Sequence, residues 1–185
     1  MENTTKKTCR VMLDLETLGA NPNALIATVG ACAIVDGKLR TFYNLVNMQS
    51  AQTEGFQMDV STVLWWISQD AAAKSDITRT EDRDLLIDVL CNFNDFISSL
   101  GEDLNLEIWS CGSDFDTVIL ANAYRKICVQ QPWKFYQTRC YRTMKEMFPE
   151  VAKPPREGAH NALNDAIFQL DHLNMILAHI ETLKA

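Results

Sequence analysis

Asp14 and Glu16 stand in VMLDLETLG (residues 11–19), where Val11, Met12, Leu13 and Leu15 suit a strand buried in a sheet. An unpaired carboxylate in such apolar surroundings is strongly disfavoured. Two residues apart on a strand, the two acids point to one face. A divalent cation resolves the conflict: Mg²⁺ takes hard oxygen ligands, and its charge offsets the repulsion between carboxylates. Two carboxylates rarely suffice, so further acids must converge on the pair.

GSDFDTVIL (112–120) is a strand–turn–helix junction with Asp116 in the first helical turn. An acid there reaches a neighbouring strand end, or simply meets the helix dipole, and Asp114 beside it fits an N-cap. HNALNDA (160–166) opens the last helix. Asp165 lies roughly opposite that helix's apolar stripe, so it is either solvated or faces a site beyond the sheet edge. His160, five residues earlier, is either a surface residue or a base.

The elements that must carry these residues are legible from periodicity. Residues 10–16, 25–35 and 39–46 read as strands, the last two joined by a tight turn at Asp36-Gly37-Lys38. Residues 60–71 read as a helix behind an Asp59 cap, with the stripe Val60, Val63, Leu64, Ile67 and Ala71. Residues 83–100 read as a second helix stopped by Gly101. A strand at 106–111 precedes a helix running to about Val129; 142–148 form a short helix ended by Pro149. A loop at 153–158 leads to the last helix from about 160, striped by Leu163, Ala166, Ile167, Leu170, Leu173, Leu177 and Ile180. The order βββααβααα implies an α/β fold, a mixed sheet covered by helices. A chain of 185 residues without repeats or linkers is expected to be one domain, with residues 1–8 flexible.

D-x-E-T on the first strand, F-D opening a middle helix and H-x-A-x-x-D-A opening the last resemble, in order and separation, the DEDDh family of 3′-5′ exonucleases. L-E-T-L-G-A-N-P-N-A, T-V-L-W-W, A-Y-R, P-W-K-F, R-C-Y-R-T and A-H-N-A-L-N-D-A are similar to its small bacterial and phage branch. The resemblance implies a ribonuclease-H-like fold with a central five-stranded mixed sheet. It also implies Asp14, Glu16, Asp116 and Asp165 as ligands of two divalent ions, Mg²⁺ or alternatively Mn²⁺. Glu16 and His160 would be catalytic, His160 as general base. Asn164 departs from relatives that carry a second Asp there, but the metal Asp of the motif is Asp165. The implied reaction releases nucleoside 5′-monophosphates from 3′ ends of single-stranded DNA or RNA. An oligoribonuclease-like enzyme trimming short RNA has the same set of residues, and a silent nucleic-acid-binding module would be expected to have lost one of them.

Net charge is −7, which alone disfavours a polyanionic partner. The distribution says more: residues 125–156 carry eight Lys/Arg against two acids, so the window is +6 and the remainder −13. Within it, WKFYQTRCYR (133–142) interleaves Trp133, Phe135, Tyr136 and Tyr141 with cations. Such a segment either stacks bases and holds phosphates or packs its aromatics in the core. Candidate nucleic-acid contacts are Thr17, Leu18, Trp66, Lys134, Arg139, Arg142 and Arg156. Trp65 and Trp66 lie over 100° from the stripe of their helix at 100° per residue, which suggests a dimer or loop contact first and substrate stacking second. The six cysteines show no C-x-x-C pair and read as reduced thiols, mostly core-packed. The longest weakly polar run, 25–35, is too short to span a membrane, and the polar start lacks a signal-peptide pattern, so a cytoplasmic chain, possible as a homodimer, is expected.

Overall fold

The computed structural model describes residues 6–156, 158 and 160–184. Strands β1 (Thr8–Thr17), β2 (Ile26–Val35) and β3 (Lys38–Leu45) form an antiparallel meander. Asp36 and Gly37 both adopt positive φ in the turn between β2 and β3, the geometry a tight hairpin requires. Helices α1 (Met48–Thr53), α2 (Val60–Ser68), α3 (Ser75–Thr78) and α4 (Leu86–Ser99) follow. Then come β4 (Asn105–Ser110), α5 (Asp116–Ile127), β5 (Thr138–Cys140), α6 (Tyr141–Met147) and α7 (Ala162–Lys184). β4 and β5 run parallel to β1, and the sheet order is β3-β2-β1-β4-β5. This is the mixed five-stranded sheet expected.

Alternation along β1 divides the core. Val11, Leu13 and Leu15 join the larger cluster with Phe93 of α4 and Leu120 and Tyr124 of α5. Met12 joins the opposite cluster with Trp109, Tyr141 and Leu170 of α7. Asp14 and Glu16 share the parity of Met12, so they continue its face beyond the apolar packing. Gly30 of β2 pairs with Asp14, and α7 begins directly above it. A Cβ at Gly30 would stand 2.3 Å from the carbonyl carbon of Ala162. Only a glycine lets α7 start that close to β1.

Several expected boundaries shift for identifiable reasons. The helix expected over 83–100 begins at Leu86, because Asp84 pairs with Val46 and exchanges backbone bonds with Leu45 and Asn47. The helix expected to Val129 ends at Ile127, where Cys128 turns left-handed and Val129 N–H closes back on Tyr124 O. The last helix starts at Ala162, not 160, capped by Asn161, whose Oδ1 accepts from Asn164 N–H at 3.1 Å. Asp59 occupies the N-cap position of α2, but its carboxylate accepts from Ala20 N–H and Asn21 instead, tying down the loop after β1. Asp114 is likewise not the cap of α5, which starts behind Phe115. β5, α1 and α3 have three, six and four residues, too short for periodicity to reveal. Of the segment expected to be flexible, residues 1–5 lie outside the described residues, whereas Thr8 already pairs with Asn105.

α2 reverses its expected faces. It ends at Ser68, and Val60, Leu64 and Ile67 of the supposed core stripe are exposed. Trp66 is the buried residue, donating its indole N–H to Thr17 O at 2.9 Å. The cysteines also divide differently from expectation: all six are free, but only Cys9 and Cys32 are buried.

Candidate catalytic carboxylate centre

Three of the four expected ligands converge. Carboxylate oxygens of Asp14, Glu16 and Asp165 lie within 4.8 Å of one another. The first two stand at the end of β1, where pairing with β2 slips register between Glu16 and Thr17. Such an irregularity ends the ladder and re-aims side chains. Asp165 comes down from the first turn of α7. Asp116 stands outside this trio, at the start of α5 on the other side of β1. Its Oδ1 accepts from Leu15 N–H at 3.1 Å, which fixes the carboxylate beside Asp14.

The electrostatics are those of crowded, desolvated acids. Burial, followed by the charges of Asp116 and Glu16, holds the Asp14 carboxyl well above the usual carboxylate range. Burial and then the Asp165 charge push Glu16 up to about 8. Burial raises Asp116 to about 7, against the hydrogen bond from Leu15 N–H. Compensation from protein donors is partial. Gln169 Nε2 donates to Asp14 Oδ1 at 2.8 Å, while the Oε1 of the same amide is buried with no hydrogen-bond partner. Arg156 donates to Asp165 Oδ1 through Nη2 at 2.7 Å and Nε at 3.1 Å. A set of clustered oxygen donors whose mutual repulsion is only partly offset suits a hard divalent cation.

His160 sits at φ +64°, in the left-handed region, just before the Asn161 cap. Its backbone N–H donates to Asp165 Oδ2 at 3.3 Å. Its ring packs edge-on against Trp65, with centroids 5.1 Å apart, and against Trp66 at 6.1 Å. The two tryptophans thus make the loop contact that was the first expectation for them. The start of α7 is tied to α3 as well: Asp76 Oδ2 accepts from Asn161 Nδ2 and from the Tyr43 hydroxyl.

The expected nucleic-acid contacts scatter. Thr17, Leu18 and Trp66 are buried, and the Thr17 hydroxyl donates to Gly19 O. Trp133 and Tyr141 are core residues, whereas Phe135 and Tyr136 are exposed. Lys134 lies over the Tyr136 ring, and Arg139 pairs with Glu107 and donates to Tyr136 O. Arg142 donates to Cys111 O, close to the start of α5, and Arg156 is bound to Asp165.

Sequence reasoning missed Gln169, Gly30 and Asn161. Gln169 had a signal: Asp165, Gln169 and His172 recur at i, i+4 and i+7, a polar stripe that is buried on α7. Gly30 had none, since its role depends on a helix far away in sequence.

The chain is similar in structure to the nuclease domain of 3′hExo, a DEDDh family member bound to rAMP: 14% identity, coverage of 94% of this chain and 93% of that one, TM-score 0.63. It is also similar to cell-death related nuclease 4 (CRN-4), with 12% identity over 94% of this chain and TM-score 0.56; it spans 64% of that protein's length. No curated protein matches in sequence. A family model, the 3′-5′ exoribonuclease Rv2179c-like domain, matches residues 9–177. The fold class is α/β, a mixed five-stranded sheet flanked by helices that the chain shares with both of these structures. Within that class, the chain belongs to the Rv2179c-like 3′-5′ exoribonuclease domain family.

Proposed function

We propose that this single-domain enzyme shortens single-stranded nucleic acid from its 3′ end, releasing nucleoside 5′-monophosphates. The observation that carries the reading is the convergence of Asp14, Glu16 and Asp165 oxygens within 4.8 Å, with Asp116 held beside them. These four acids would hold two divalent ions, Mg²⁺ or Mn²⁺. When bound, such ions activate the attacking water and stabilise the departing 3′ oxygen.

The chain's own residues do the rest. Gln169 orients Asp14, and Leu15 N–H orients Asp116. Trp65 and Trp66 hold the His160 imidazole at the rim, where it takes the proton of the attacking water as general base. Charge balance supports the partner: four carboxylates neutralised by two divalent ions leave an effective charge of about −3 on the chain. The family description and the rAMP bound to one similar nuclease favour RNA over DNA. No described helix is long and apolar enough to cross a membrane; a cytoplasmic enzyme is the reading. Val60, Leu64 and Ile67, exposed together on α2, support a homodimer.

The test is a time course on 5′-labelled single-stranded DNA and RNA, two to twenty nucleotides long by order of magnitude, with Mg²⁺, Mn²⁺ or EDTA. A metal-dependent ladder shortening from the 3′ end, absent in Asp14→Ala, is expected. Confinement to the shortest RNAs would make it oligoribonuclease-like. No shortening of any substrate with either metal would sink the proposal.

A further inference from the structure

Asp165 carries two lone-pair demands. It belongs to the carboxylate trio, yet its Oδ1 is taken by both Nη2 and Nε of Arg156. The Arg156 guanidinium carbon also stands 5.6 Å from the Phe168 ring, and its side chain is 43% exposed. Arg156 rides on the loop between α6 and α7, and its side chain reaches α7 at Asp165 and Phe168. An open groove of about 430 Å³ adjoins this pair, lined by Lys145, Lys153, Arg156, Tyr141, Phe168 and Gln169. The groove therefore begins at the residues that hold Asp14 and Asp165 and leads outward between three cations. Asp165 closes its inner end, and Glu146, 3.9 Å from Lys145, points to solvent.

We propose that Arg156 is an internal counter-ion of Asp165 that a divalent metal displaces, and that the groove with Lys145 and Lys153 holds the phosphate next to the scissile one. The inference rests on the metal-dependent reading above and extends it to a phosphate site. A divalent ion at Asp165 competes with the guanidinium for the lone pairs of Oδ1 and repels its charge, so metal there loosens the arginine. A short rotation of its side chain then keeps the charge beside Lys153, where the planar fork matches phosphate oxygens. Metal loading thus assembles the phosphate site, and the protein stays charge-compensated in both arrangements.

The experiment pairs two readouts on the full chain. Mn²⁺ titration calorimetry of wild type, Arg156→Gln, Arg156→Lys and the double variant Lys145→Gln/Lys153→Gln measures the competition. Fluorescence anisotropy of a 5′-fluorescein tetra-adenylate RNA, in Ca²⁺ instead of Mg²⁺, measures the groove. Arg156→Gln is expected to bind Mn²⁺ about fivefold more tightly, the size a half-exposed bidentate pair supports, and to bind the RNA more weakly. The double lysine variant is expected to leave Mn²⁺ affinity unchanged, weaken RNA binding and make its salt slope shallower by about 1.4. Arg156→Lys is expected to fall between wild type and Arg156→Gln for Mn²⁺.

Unchanged or weaker Mn²⁺ binding by Arg156→Gln overturns the proposal. So does an equal gain in the lysine variant, which would reduce the effect to general charge, or RNA affinity untouched by the lysine changes. Circular dichroism and thermal melts of each variant separate misfolding from these outcomes. Nuclease activity that persists in EDTA overturns the metal reading itself; metal-dependent activity with an unaltered Arg156→Gln titration overturns only the present proposal.

Discussion

Asp14, Glu16 and Asp116 are acids held where ionisation is disfavoured, and that gives the protein a pH signature. Their pKa values are raised, Glu16 to about 8 and Asp116 to about 7. Without divalent metal, the folded state keeps protons that the unfolded chain releases near pH 4. The stability this contributes is full below the unfolded carboxylate pKa and is lost as pH rises toward about 8. The melting temperature in EDTA is therefore expected to fall between about pH 5 and pH 8, and saturating Mg²⁺ to raise it more at the upper end. Scanning calorimetry across that range checks it; a metal shift independent of pH would mean the acids are not desolvated. A second prediction concerns His160. Trp65→Ala removes the ring that packs edge-on against it, so kcat is expected to drop about tenfold through lost positioning. Mn²⁺ affinity should hold, and Trp65→Phe should recover most of the rate.

At the scale of elements, the site depends on how α7 lands on the sheet. Gly30→Ala places a Cβ 2.3 Å from Ala162 backbone, which must move. Overpacking of this kind costs about 1–3 kcal/mol, or a loss of about 5 °C in melting temperature for a chain this size. The activity loss should exceed what that destabilisation explains, because Asp165 moves with the helix; comparing rates well below the melting transition tests this. Asn161→Ala removes the cap of α7 and its tie to Asp76. A drop of about 3 °C is expected from a cap worth about 1 kcal/mol.

For the whole molecule, α2 is the element whose sequence and environment disagree. Val60, Leu64 and Ile67 form a continuous stripe, are exposed, and lie on the helix that carries Trp65 and Trp66 toward His160. A self-association surface there would join the assembly to the catalytic rim. Leu64→Glu is expected to convert a dimer to a monomer in sedimentation velocity while leaving the fold intact; a wild-type monomer at high concentration removes the dimer from the reading.

How much the sequence alone could say follows from which interactions are local. β1, the Asp36-Gly37 hairpin and the long α4, α5 and α7 were legible because their periodicity and turn chemistry are written in adjacent residues. The acids Asp14, Glu16, Asp116 and Asp165 were legible as types and in order, since charge inside an apolar strand or at a helix start is conspicuous in one dimension. β5 was not, being three residues whose strand character comes from pairing with β4. Nor was the buried face of α2, where the Trp66 indole, its N–H donated to Thr17 O, is buried while three aliphatic side chains stay exposed. The convergence of three carboxylates, the orphaned amide oxygen of Gln169 and the grip of Arg156 on Asp165 belong to the tertiary structure alone. They arise from the approach of α7 over Gly30, a contact between segments more than 130 residues apart in the chain; spacing along a sequence carries no record of such a distance, and only packing decides it.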